Sequence, residues 1–323
     1  MLKVHFLNVG HGDCTFVELP SGRLMMVDIN NSKSLPEEDI EALAESKFLS
    51  KAAFELNLAA TPAGVRSWED YYESLLVDPV DYHRDNLRSQ EIFRYIQTHP
   101  DLDHMSGLHR FFSQEKVALL NFWDTSNQKS LDTTDFTNAP YDALDWTTYQ
   151  LLRLGHGPDD STHVVINAYA GDLRDYWAQD GIEILSPTPD IVDTCNSSDS
   201  YNNISFVLRL SYAGRSIILP GDAEGLAWKS MLSSFPDSLP CDVLKASHHG
   251  RESGYDYDAV AAMSPSAVIC SVGKKPSTDA SDEYASHGAK VFSTRYHGTI
   301  TVTINAYGEI WIDDRNGARL LTL

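Results

Sequence analysis

The chain has 323 residues, 42% of them hydrophobic, which is enough for a packed core in one large domain or two small ones. Its formal charge of -21 argues against an extended phosphate-binding surface, because non-specific affinity for nucleic acid comes mainly from Lys and Arg. A nuclease is not excluded, since two bound divalent cations would add positive charge where a phosphodiester must sit. No run of about 18 apolar residues predicts a membrane span, and no signal-peptide pattern opens the sequence, so the expectation is a cytoplasmic protein with no membrane partner. The four cysteines (Cys14, Cys195, Cys241, Cys270) lack metal or disulfide spacing. They are expected to be reduced and mostly buried, with Cys195, in a polar stretch, the most exposed.

Residues 2–9 alternate as a half-buried strand should, and Gly10-His11-Gly12-Asp13 is a glycine-rich turn. Residues 15–19 and 24–29 form a hairpin around Ser21-Gly22. Residues 31–90 are expected to form an insertion: acidic helical stretches over 37–54, then Trp68, Tyr71, Tyr72 and Tyr82, broken up by Pro62, Gly64 and Pro79. Its aromatics either stack on a base or sugar or simply pack the insertion onto the main body. A strand over 91–97 leads into Thr98-His99-Pro100-Asp101-Leu102-Asp103-His104.

That seven-residue stretch carries two histidines and two aspartates. Neutral imidazole and carboxylate are the common ligands of hydrolytic metals, and alternating ligands in a tight loop can face two adjacent metal positions. The plainer alternative is a solvated polar loop with a capping aspartate. Met105, Leu108, Phe111 and Phe112 predict a following helix, with Asp103 at its N-terminus, where free N–H groups favour an anion. Downstream, residues 126–140 read as a polar surface loop and 143–154 as a helix, while His156 and His163 are ordinary loop histidines. Strands are expected over 181–185, 204–210, 216–219, 242–246, 267–272, 299–304 and 309–312. Chemistry-bearing residues recur at strand ends, in Pro220-Gly221-Asp222 and Ser247-His248-His249-Gly250. Alternating strands and helices give a mixed α/β domain, with no sequence break that demands a second one.

The His-x-Asp-x-Asp-His pattern resembles the signature loop of the metallo-β-lactamase superfamily, whose usual form has histidine where this chain has Asp101. That change resembles one branch, the soluble domain of ComEC-type DNA-uptake proteins and its free-standing relatives. Leu7-Asn8-Val9-Gly10-His11-Gly12-Asp13, Met26-Val27-Asp28, Asn202-Asn203-Ile204-Ser205, Leu219-Pro220-Gly221-Asp222 and Leu244-Lys245-Ala246-Ser247-His248-His249-Gly250 follow in the order the resemblance requires. It implies a four-layer αββα sandwich, here one domain over 1–323 with a helical insertion.

The resemblance also implies two divalent ions, Zn²⁺ or Mn²⁺ with Mg²⁺ as a further option, acting through a metal-bound hydroxide. One site would use His99 and Asp101, and the other Asp103, His104 and His248, with Asp222 bridging them. His248 is preferred over His249 because neighbouring strand residues point oppositely. Asn202 and Asn203 stand where the superfamily has another histidine. Together with Asp101, they harden the first site toward Mn²⁺ or Mg²⁺. Asp13 and Asp28 would support the loops from behind, or are simple turn residues. Asp103, Lys245 and His297 are the expected catalytic residues: Lys245 as a charge stabiliser or an ion-paired lysine, and His297 as a proton donor. Lys275-Pro276 replaces the family's late His-Pro pair, which leaves the general acid open. The leading function is a phosphodiesterase or nuclease acting on nucleic acid or a nucleotide. The alternatives are a hydrolase of a small carboxylic or phosphoric ester (lactone, thioester, phosphocholine ester) or a low-activity binding protein, with the acidic insertion as a partner surface.

Overall fold

Strands β1 (Leu2–Phe6), β2 (Thr15–Glu18) and β3 (Leu24–Val27) form an antiparallel ribbon, beside which β4 (Ile92–Ile96), β5 (Leu119–Asp124) and β6 (Val164–Asn167) add in parallel. The structure is a computed structural model, and it describes residues 1–31, 68–132, 134–137, 140–273 and 277–323. A second sheet follows, made of β7 (Ile182–Ser186), β8 (Val207–Tyr212), β9 (Arg215–Leu219), β10 (Val243–Lys245), β11 (Ala267–Cys270) and β12 (Lys290–Ser293). It is antiparallel from β7 to β9 and parallel from β9 to β12. The chain then returns to the first sheet as β13 (Ile300–Ile304), β14 (Ile310–Asp313) and β15 (Arg319–Thr322), with β13 pairing antiparallel to β1. The strand orders are β15-β14-β13-β1-β2-β3-β4-β5-β6 and β12-β11-β10-β9-β8-β7.

Side-chain alternation along the strands divides the apolar residues among three cores. Met25 and Val27 join Trp123, Phe206, Leu219 and Ile269 between the sheets. Leu24 and Met26 face outward and pack with Phe16, Tyr95, Phe111 and Tyr149. In the second sheet Val243 faces inward, while Leu244 packs outward with Trp228, Met231 and Val260. These strands are covered on both faces, which is why they read as continuous apolar runs such as Leu24-Met25-Met26-Val27. Three cores between four layers make the αββα sandwich. Among the described residues no helix is long and apolar enough to cross a membrane.

Most of the expected insertion, residues 32–67, lies outside the described residues, and so does Lys275-Pro276. Its described part begins with α1 (Trp68–Glu73) and α2 (Pro79–Asn86). Asp78 caps α2 by accepting from the Val80 and Asp81 amides, with Pro79 in the first turn. Tyr82 stacks on Phe16 at 6.3 Å and hydrogen-bonds His5 Nδ1 at 2.9 Å, and buried Tyr72 packs with Leu75 beside Tyr296. For these two rings the packing alternative describes their surroundings.

Two expectations need correction. The helix expected after the metal loop is instead a single 3-10 turn, Leu102–His104, followed by a π-helical stretch, His109–Gln114. Asp103 therefore sits inside a short turn and not at an α-helix N-terminus. Cys195 lies on the buried face of the helix Pro189–Ser198, because residues 189–198 form a helix where the polar composition suggested a loop.

Candidate metal centre

β3 and β4 run parallel and end side by side, which places Asp28 next to the start of the 98–104 loop. Asp28 has φ 55, a left-handed conformation that aspartate tolerates. Its Oδ1 accepts the Thr98 amide at 2.8 Å, and its Oδ2 accepts Thr98 Oγ1 at 2.6 Å and His104 Nδ1 at 2.8 Å. Holding the His104 Nδ1 proton leaves Nε2 as the lone-pair nitrogen, the usual way a carboxylate prepares a metal-binding imidazole. Gln97 ties the loop's ends together by donating to the carbonyls of His99 at 2.8 Å and His104 at 3.0 Å.

The opposite sheet supplies the other half. Asp222 follows β9, and its amide donates to Ser205 Oγ at 3.1 Å. His248 and His249 follow β10. Four imidazole Nε2 atoms approach Asp222 Oδ2: His104 at 3.2 Å, His249 at 3.5 Å, His248 at 3.8 Å and His99 at 3.9 Å. Asp103 Oδ2 lies 3.3 Å from His249 Nε2, and Asp101 Oδ2 lies 3.6 Å from His99 Nε2.

The donor set fits a divalent cation. The Nε2 atoms of His99, His104 and His249 and Asp222 Oδ1 are buried without a hydrogen bond. Each such atom costs about 1–3 kcal/mol unless something satisfies it. Ligand atoms of Asp13, His104, Asp222 and His249 lie within 4.8 Å of one another, as do those of His11, Asp103 and His249. Burial opposes charge on His104 and His249, but the surrounding carboxylates, Asp222 foremost, outweigh it and raise both pKa values. Burial likewise opposes charge on Asp222, and the imidazoles of His104 and His249 outweigh it and hold its pKa down. The cluster is a concentration of negative charge that calls for cations.

His99, Asp101, Asp103, His104, Asp222 and both His248 and His249 thus converge. The preference for His248 assumed an extended chain. The two histidines instead occupy a tight turn at φ 48 and 57, so both rings reach Asp222. His249 is the buried one and belongs to both ligand groups. His248 is the more exposed, and its Nδ1 sits 2.7 Å from Ser253 Oγ and 3.2 Å from Glu224 Oε1. Lys245 is buried in an ion pair with Asp13, Nζ to Oδ2 2.5 Å. Asn203 Oδ1 accepts from the Glu224 and Ala227 amides at the start of the helix Gly225–Ser234, and Asn202 donates to Glu224 at 3.1 Å. The His297 ring stands 5.9 Å from that of Phe292 and its carbonyl accepts from Arg315.

Sequence reasoning missed Glu224, Ser253 and Lys129, whose Nζ lies 2.5 Å from Asp101 Oδ1. Glu224 stands two residues after Asp222, which was its one available signal. His11 was read only as a turn residue, yet its Nε2 stands 3.9 Å from Asp103 Oδ2.

No family model matches the chain. A stretch of 106 residues, 31% of the chain, is 32% identical to ComE operon protein 3 of Bacillus subtilis (strain 168); it spans 14% of that relative's length. Among solved structures, the chain is similar to Igni18, described as a novel metallo hydrolase from the hyperthermophilic archaeon Ignicoccus hospitalis, with 14% identity, 94% of this chain and 100% of that one covered, and TM-score 0.49. It is also similar to YhfI of Bacillus subtilis, a metallo-β-lactamase fold protein, with 9% identity, 97% and 100% covered, and TM-score 0.43.

Proposed function

We propose that this protein is a metal-dependent hydrolase that cleaves phosphodiester bonds in a nucleotide or nucleic acid. The observation that carries the metal dependence is the convergence of three buried, unsatisfied imidazole nitrogens on the Asp222 carboxylate. His104, His249 and Asp222 would hold a divalent ion, with His99, Asp101 and Asp103 around it. Such an ion supplies Lewis-acid polarisation of the substrate and lowers the pKa of water. Asp28 orients His104, and the Lys245–Asp13 pair sets the charge beneath the cluster.

A cavity of about 600 Å³, lined in part by Asp101, Lys129, Tyr201 and Asn202, adjoins the site. It is of small-molecule size. Lys129 offers a cation to a phosphate there, and Tyr201 offers a ring to a base. These features and the DNA-uptake-like motif support the phosphodiester reading. The charge of -21 favours the second reading, a small carboxylic or phosphoric ester, because the chain lacks the cationic excess that long nucleic acids demand.

The test is a comparison of kcat/KM for dinucleotides, single-stranded DNA, thioesters, lactones and phosphocholine esters with Mn²⁺, Zn²⁺ and Mg²⁺, using Asp222→Asn as the inactive control. The proposal expects phosphodiesters to lead by at least roughly tenfold, the step given by about 1.4 kcal/mol of transition-state binding. A lead for any carboxylic ester or thioester overturns it.

A further inference from the structure

Lys129 lies in the polar stretch between β5 and the helix Ala143–Arg153, away from both ligand-bearing loops in sequence, yet it reaches into the site. Its ammonium contacts one oxygen of Asp101, at 2.5 Å, while the other oxygen faces His99 Nε2 at 3.6 Å. The lysine is anchored. Its amide donates to Asn127 Oδ1 at 3.3 Å, and the Asn127 side chain is itself buried and donates to Tyr149 Oη at 2.6 Å. The ammonium stands 5.6 Å from the centre of the Tyr201 ring, a cation–π position. The Asp101 carboxylate is thus already neutralised by a fixed protein charge, whereas Asp222 Oδ1, beside His104 and His249, has no hydrogen bond, and neither have the Nε2 atoms of His99, His104 and His249.

We infer that Lys129 stands in for an ion on the His99–Asp101 side. The chain then holds one tight divalent ion, on His104, His249 and Asp222, and supplies the second positive charge from its own lysine at the wall of the adjoining cavity. A cation already in contact with a carboxylate weakens it as a ligand for a second cation, so the lysine and a second ion exclude each other. The inference rests on the proposed metal centre but not on the substrate.

The experiment counts Mn²⁺ and, separately, Zn²⁺ bound per folded chain, by elemental analysis after dialysis into buffered free metal. It uses the parent, Lys129→Met, Lys129→Gln, Lys129→Arg and the double variant Lys129→Met/Asp101→Asn. One ion is expected in the parent and in Lys129→Arg, two in Lys129→Met and Lys129→Gln, and one again in the double variant. The second ion should bind at least roughly tenfold more tightly to Lys129→Met than to Lys129→Arg. Two ions in the parent, or one in both uncharged variants with a native melting profile, overturns the inference while leaving the metal centre standing. No ion in any variant overturns the metal centre, and the inference with it.

Discussion

Asp28 concentrates three hydrogen bonds on one buried carboxylate. An asparagine there keeps the shape but must present an amide N–H₂ to one of three donors. Asp28→Asn should therefore weaken ion binding by about 10–100-fold, the usual effect of losing such a supporting carboxylate, as read by competition with a chromophoric chelator. Unchanged affinity would reduce Asp28 to a turn residue. A second residue-scale prediction concerns pH. Glu18 accepts from His5 Nε2 at 3.1 Å and pairs with Lys3 at 3.0 Å. The hydrogen bond from His5, with Lys3 beside it, outweighs partial burial and lowers the Glu18 pKa from 4.5 to about 2. Burial keeps the His5 pKa below its ordinary value, and Lys3 adds a positive charge beside the Glu18 carboxylate. Because the folded pKa is the lower one, the unfolded chain takes up the proton first as pH falls. The stability this group contributes is complete above about 4.5 and lost as pH drops toward about 2. Glu18→Gln should flatten that limb of the stability curve, by less than about 1 kcal/mol because the pair is half-exposed. An unaltered acid limb in denaturant titrations would show that the pair contributes nothing.

Between elements, the turn after β1 fits tightly against the 98–104 loop. Gly12 has φ +130, and a Cβ there would stand 2.3 Å from the Asp103 carbonyl oxygen and 2.7 Å from Asn30 Cβ. Gly12→Ala should cost about 1–3 kcal/mol in strain and push Asp103 and His104 out of register, so ion affinity falls with stability. Gly22→Ala, at φ +85 with nothing within 4 Å, is the control. It should cost about 1 kcal/mol and leave ion binding unchanged. Equal ion affinity in both variants would show that the turn does not brace the loop. Elements also mark where the sequence was readable. The 98–104 stretch stood out because its imidazoles and carboxylates crowd into one loop, and Asp222 and the histidine pair because they terminate apolar strands. Alternation could not separate His248 from His249, because it holds only for an extended chain and both rings approach Asp222. Lys129 carried no signal, since its loop has no periodicity and its partner lies far back in sequence. β6, β12 and β15 were missed as four-residue strands whose burial is incomplete.

Across the whole molecule, His99, Asp101, Asp103 and His104 hang from the nine-stranded sheet, and Asp222, His248 and His249 from the six-stranded one. An ion shared by His104, Asp222 and His249 would therefore cross-link the two sheets. Removal by chelator should lower Tm, and free ion at about 100 times Kd should restore about 2.7 kcal/mol. A Tm indifferent to chelation would show that the folded chain holds no ion in preference to the unfolded one. The same division sets a schedule for synthesis. The 98–104 loop leaves the ribosome long before Asp222 and His249, and β13, which pairs with β1, emerges later still, followed by β14 and β15. A nascent chain stalled between the two ligand clusters owns half a coordination shell and should release metal as fast as it meets it. Metal capture by stalled chains of increasing length should therefore appear in one step, once the segment carrying His249 is free to dock. In this protein the ion would act as a late check on completed assembly and not as a template around which the first sheet forms.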